Sequence, residues 1–208
     1  MWIPIVISVL VSYLLGNLNG AVLMSNLIAK EDVRNSGSGN AGLTNFVRNY
    51  GAVNGLAVYV IDCGKAALAC VAGGLMLAPY DMFVEGMAIA GLAVVIGHDF
   101  PALLGFRGGK GILSSGAIAL VLDWRIGLIV MTLFLVVYLL TQYVSLAAVT
   151  CSVTYAVLFV VFQHDNPIVM ICGVLIGLLA VFMHRGNIVR LVQGKERKTN
   201  LFGKGKQK

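Results

Sequence analysis

Residues 2–29 read WIPIVISVLVSYLLGNLNGAVLMSNLIA, from Trp2 to Ala29, without one charged side chain. A helix needs roughly 20 apolar residues to cross about 30 Å of hydrocarbon. This segment therefore reads as a membrane span, and the rest of the chain repeats the pattern. Of its 208 residues, 59% are hydrophobic and only 12% charged, where a soluble domain carries about 25% charged residues. Mean hydropathy is +0.90. The first apolar run has no basic flank before it and continues past signal-peptide length, so it reads as retained.

Further apolar runs extend over Gly51–Pro79, Met82–Gly97, Ile112–Leu122, Ile126–Thr141, Tyr143–Phe162 and Ile168–Met183. The fourth span, Ile112–Leu122, is too short to cross unaided. It must begin inside the preceding loop or cross where the bilayer is thinned. Lys and Arg set the orientation. All basic residues except Lys65 and Arg125 fall in three segments: 30–50, 98–111 and the tail from His184. Seven spans put these segments on one side. The expectation is an all-α integral membrane protein with seven transmembrane helices, N-terminus outside and C-terminus cytoplasmic. It forms a single membrane-embedded domain over 1–208, with a short basic tail from about 195. The end of that tail reads as a solvated segment near anionic headgroups. Cys63, Cys70, Cys151 and Cys172 lie in apolar runs without disulfide or metal spacing, and read as small packing residues. No metal or cofactor is expected.

Three polar segments carry the chemistry. The loop Gly105-Phe-Arg-Gly-Gly-Lys-Gly111 lets backbone amides approach an anion, and Lys110 adds a point charge suited to phosphate. It is not a Walker A loop, which needs a further glycine five residues earlier. The hydroxyls of Ser114 and Ser115 follow, and His98 opens the segment. The second segment, Asp32 to Arg48, has a run of small residues feeding a helix that starts near Leu43. A helix N-terminus preceded by glycines favours anions, and Thr44 and Arg48 share a face. The third, His184 to Glu196, leaves the last span. A basic stop-transfer flank explains its arginines but not His184, Asn187 or Glu196. Asp62 and Lys65 lie on one helical face within a span, where ionisable residues are costly and either functional or paired. Ser145 begins the sixth span.

The runs GSGNAGLTNFVR (37–48), DCGKA (62–66), GHDFPALLGFRGGKG (97–111) and HRGNIVRLVQGKE (184–196), in this order, resemble the bacterial acyl-phosphate:glycerol-3-phosphate acyltransferase family, PlsY. The resemblance covers nearly the whole chain. Ala66 departs from the family's usual glycine, Arg107 from lysine, and Ala41 and Leu43 from proline and alanine. Ile112–Ser114 stands where the family has VAT, so that Ser114 would supply the threonine hydroxyl. The resemblance implies seven helices with a cytoplasmic site. It also implies transfer of a fatty acyl group from a long-chain acyl phosphate to the 1-hydroxyl of glycerol 3-phosphate. The products would be lysophosphatidic acid and phosphate, in the first acylation of phospholipid synthesis. The implied location is the bacterial plasma (inner) membrane. The implied partners are the two substrates, the lipid bilayer and a hand-off from an acyl-phosphate-producing enzyme, with no nucleic acid.

The expected catalytic positions are Ser36, Arg48, Lys110, His184 and Asn187. The expected substrate contacts are Ser38, Asn40, Thr44, Asn45, Lys65, His98, Gly108, Gly109, Gly111, Ser114, Ser145 and Glu196. Arg48, Lys110 and Asn187 are expected to hold substrate phosphates, and His184 to orient the acceptor. Other lipid chemistries fit poorly. No HxxxxD occurs, since Leu103, Val169 and Val189 stand five residues after the three histidines, and no DxxDG carboxylate set is present. A phosphate transporter would need polar access from both faces, whereas the polar groups here gather on one.

Overall fold

Residues 2–199 are described by a computed structural model. Among them the chain forms α1 (Trp2–Gly16), α2 (Gly20–Ala29), α3 (Leu43–Tyr50), α4 (Ala52–Leu77), α5 (Phe83–Asp99), α6 (Ile112–Leu122), α7 (Trp124–Thr141), α8 (Val144–Phe162), α9 (Pro167–Met183) and α10 (Arg185–Val192). No strand is present among the described residues. Five segments are long and apolar enough to cross a bilayer: Trp2–Ala29, Ala52–Tyr80, Phe83–Leu104, Trp124–Thr141 and Val144–Phe162. Helix α9 reaches that length only together with α10, and the two are bent by 54° at His184. Helix α6 is apolar but has only 11 residues.

The first span is not the continuous helix its composition predicts. It breaks between Gly16 and Gly20. A break inside hydrocarbon must find partners for the freed backbone groups, and α4 provides them. Lys65 Nζ donates to the carbonyls of Gly16 (3.2 Å) and Leu18 (2.6 Å). Asp62 Oδ1 accepts the amide of Gly20 at 3.1 Å and pairs with Lys65 at 2.9 Å. The Asn19 side chain caps α2 through the amide of Val22. The buried ion pair of the second span is thus the clasp of the broken first one.

Helix α5 packs against α1, α4, α6 and α9. Between helices in lipid, close backbone approach replaces hydrophobic driving force. A Cβ on Gly97 would lie 2.1 Å from the Tyr13 carbonyl oxygen, and one on Gly16 would lie 2.3 Å from that of Val94. Glycine at these positions sets the α1–α5 distance. Beyond this clasp, further polar connections lie at the two ends. Asn166 donates to Glu85 and Gln163 to Asp123 at one end. At the other, Arg34 donates to the carbonyls of Leu104 and Arg107, tying the 30–42 loop to the 100–111 loop.

Candidate active site

Helix α3 begins at Leu43, as its sequence predicts, so Thr44 and Arg48 lie one turn apart. The loop before it is shaped by Asn45, which is 2% exposed. Its Nδ2 donates to the carbonyls of Val33, Ser36 and Asn40, and its Oδ1 accepts the amide of Ser38 at 2.8 Å. Asn45 therefore moulds the loop rather than facing a substrate. The Ser36 and Asn40 side chains are half-buried and Ser38 is exposed. No side-chain hydrogen bond among the described residues occupies them.

The glycine loop folds back on the end of α5. The amides of Gly108 and Gly109 donate to the carbonyls of Asp99 (3.2 Å) and His98 (3.0 Å), so they are not free to form the anion nest that their spacing invites. A Cβ on Gly109 would lie 2.1 Å from His98 Nε2, and one on Gly108 would lie 2.0 Å from the His98 carbonyl oxygen. His98 is a buried floor under the loop. Lysine has no acceptor, so the 2.8 Å contact from Lys65 Nζ makes His98 Nδ1 an acceptor and puts the ring proton on Nε2. With Gly16, Leu18, Asp62 and His98 around it, Lys65 has no donor left. Lys65, expected as a substrate contact, is here engaged in holding the broken first span. Ser114 is likewise buried and donates to the Asp62 carbonyl at 3.2 Å. What stays open is Lys110 and the start of α6. Gly111 ends the loop in left-handed conformation, φ 69°, and no side chain caps the helix.

Lys110 reaches across to α10, where its Nζ donates to Asn187 Oδ1. Asn187 Nδ2 in turn donates to Glu196 Oε1 at 2.8 Å, and Arg190 Nε to Glu196 Oε2 at 2.7 Å. Burial works against the Glu196 charge, but Asn187, Arg190 and the Ser145 hydroxyl hold its carboxyl below its ordinary value. The carboxylate is held by Asn187 and Arg190, with Ser145 beside them. Burial lowers Lys110 to about 8; the nearby charges of Arg190, Arg48 and Arg185 push the same way, against Glu196. Arg190, Arg48 and Arg185 thus all lie within electrostatic reach of Lys110, with the Glu196 carboxylate among them, an arrangement that favours a multiply charged anion.

His184 closes α9. Its Nδ1 lies 2.8 Å from the Ala180 carbonyl, which fixes the proton on Nδ1 and leaves Nε2 as an acceptor. Ser145, at the start of α8, is buried, and its hydroxyl lies close enough to Glu196 to help hold that carboxyl charged. The sequence reading passed over two residues that meet here. Arg190 could have been found, since it lies three residues beyond Asn187 on the same helical face. Thr199 had no signal: its hydroxyl accepts from the Arg48 guanidinium. Thr199 itself is buried, while Lys195, Arg197 and Lys198 before it are exposed; the end of the tail, 200–208, for which a solvated segment is expected, lies outside the described residues.

A polytopic helical bundle with a cluster of cations gathered around Lys110 at one end defines a membrane enzyme or carrier for phosphate-bearing molecules. The family model described as glycerol-3-phosphate acyltransferase matches residues 6–194. A glycerol-3-phosphate acyltransferase of Thermoanaerobacter pseudethanolicus is 39% identical over 193 residues, 93% of this chain and 94% of the relative. That of Finegoldia magna is 37% identical over 95% of this chain and 97% of its own length. The crystal structure of PlsY, an integral membrane glycerol 3-phosphate acyltransferase, in its glycerol 3-phosphate form superposes with a TM-score of 0.85. It is 30% identical over 96% of this chain and 99% of that one. Its lysophosphatidic acid form gives a TM-score of 0.82 at 29% identity, over 95% of this chain and 96% of that one. The chain belongs to the glycerol-3-phosphate acyltransferase family, and it is a multi-pass membrane protein of the PlsY fold.

Proposed function

We propose that the protein transfers a fatty acyl group directly from acyl phosphate to the 1-hydroxyl of glycerol 3-phosphate, releasing lysophosphatidic acid and inorganic phosphate. The observation that carries this reading is the contact chain from Lys110, just before α6, through Asn187 and Glu196 to Arg190, with Arg48 and Arg185 within electrostatic reach of the lysine. Both substrates bring a phosphate, and a cationic pocket at the bilayer surface suits both. That the related crystal structures are of glycerol 3-phosphate and lysophosphatidic acid forms agrees with this acceptor and this product.

Chemically, the acceptor oxygen attacks the acyl carbonyl carbon. The bond from that carbon to the phosphate oxygen breaks, and the hydroxyl proton passes to a phosphate oxygen. Arg48 and Lys110 hold the substrate phosphates and oppose the charge that develops on the leaving group. Asn187 aims Lys110, and Ser36 and Thr44 line the same pocket. His184 Nε2 accepts the hydrogen bond of the acceptor hydroxyl and so orients it for attack. Phosphate leaves readily, so no acyl-enzyme is needed. Incubation with acyl-labelled donor and no acceptor tests this. Label is expected to stay off the protein, and a stable acyl-serine at Ser36 or Ser38 would count against direct transfer.

The seven apolar segments are read as seven crossings, with α6 crossing where the surrounding loops enter the membrane. The basic residues on the 30–50, 98–111 and 184–199 segments support a cytoplasmic site in the plasma membrane, with the N-terminus outside. On that side an enzyme making acyl phosphate can hand its product over.

A further inference from the structure

Beyond α10 the chain turns back toward the end of α7. Lys195 donates its amide to the Arg190 carbonyl at 2.8 Å, Glu196 is held by Asn187 and Arg190, and Lys198 lies 5.5 Å from the Tyr143 ring centre. The turn ends at Thr199, which is 4% exposed. Its backbone is fixed on both sides at the end of α7. The Thr199 amide donates to the Gln142 carbonyl at 3.0 Å, and the Tyr138 hydroxyl donates to the Thr199 carbonyl at 2.9 Å. Tyr138 is itself 2% exposed. With the backbone anchored, the side-chain hydroxyl meets the Nη2 of Arg48. Arg48 lies on a short helix that ends two residues later, and its long side chain is otherwise exposed.

We infer that Thr199 is a positioning residue for the acyl transfer, its hydroxyl holding the Arg48 guanidinium at the angle from which the remaining N–H groups grip a substrate phosphate. This rests on the functional reading above. An arginine on a solvent-facing helix samples many rotamers, and fixing them in advance lowers the entropy lost on binding. Guanidinium has five N–H donors in a rigid fork, so one bond to Thr199 leaves the fork free to take phosphate.

The test uses the full chain, purified in detergent, with glycerol 3-phosphate and acyl phosphate as substrates. Thr199→Val keeps the shape and both backbone anchors and removes only the hydroxyl. It is expected to raise the KM of the substrate whose phosphate Arg48 holds by about fivefold, with kcat within about twofold and an unchanged melting temperature. Thr199→Ser is expected to restore the parent KM. In an Arg48→Lys background, Thr199→Val is expected to add nothing. Tyr138→Phe, which loosens the strap without touching Arg48, is expected to raise the same KM by a smaller factor and serves should the valine variant not fold. Unchanged or lowered KM for both substrates in a folded Thr199→Val protein, or failure of serine to restore it, would overturn the inference. Absence of turnover by the parent protein with acyl phosphate would instead overturn the functional reading.

Discussion

Lys110 donates to the side-chain oxygen of Asn187 across 77 residues of sequence. This fixes the orientation of the amide, because its nitrogen then faces the Glu196 carboxylate, which can only accept. Asn187 serves a cation and an anion together. Asn187→Leu, of similar volume, breaks both bonds and leaves Lys110 free to swing. It is expected to lower kcat/KM by about a hundredfold, while Glu196→Gln, which can still accept from Asn187, costs less. Steady-state kinetics on both variants check the order, and equal losses would contradict it.

The same lysine sets the pH dependence. Burial and neighbouring cations lower Lys110 to about 8. The charged form is the one that binds phosphate, so activity is expected to be full below that value and to fall as pH rises through it. A bound phosphate favours the ammonium form and moves the limb upward, so kcat/KM shows it at lower pH than kcat does. Lys110→Arg, charged at all accessible pH, is expected to remove the alkaline limb from whatever activity remains. Lys110→Ala is expected to lose turnover by at least about a hundredfold and still fold. A pH–rate profile recorded from 6 to about 10 decides the matter.

The clasp on the broken first span gives a stability prediction. Lys65→Met removes the donor for two backbone carbonyls and strands Asp62, whose side chain is 2% exposed. Breaking a buried pair in this way costs about 3–5 kcal/mol, and the melting temperature in detergent should drop accordingly. Little change in melting would mean that the freed carbonyls find other partners.

Gly109→Ala is expected to abolish activity with little change in the helical bundle. The new methyl would meet the His98 ring, which is pinned by Lys65, so the loop must move rather than the ring. Gly105→Ala meets nothing in space, although its left-handed backbone at φ 66° adds modest strain. Comparing kcat/KM of the two variants separates steric fit from backbone strain.

Much of this was legible in the chain. The seven apolar runs are all helical, and α3 starts where the small-residue run ends. The break at Asn17–Asn19 was not legible, because it depends on a lysine 47 residues away supplying what the backbone lost. Glycine spacing at Gly108 and Gly109 promised free amides, yet the fold back onto α5 uses them, a tertiary event that no local pattern records. Asp62 and Lys65 were open to a functional or a structural reading, and only the position of their neighbours separates the two. Thr199 lies in a tail without periodicity, and its meeting with Arg48 spans 151 residues.

The choice of acyl donor tests the central claim most directly. Purified protein is given glycerol 3-phosphate with palmitoyl phosphate or palmitoyl-CoA, and lysophosphatidic acid and phosphate are counted. A pocket built from cations for two phosphates predicts turnover with the acyl phosphate alone, releasing one phosphate for each lysophosphatidic acid formed. Comparable turnover with the thioester, or product formed without phosphate release, would contradict it.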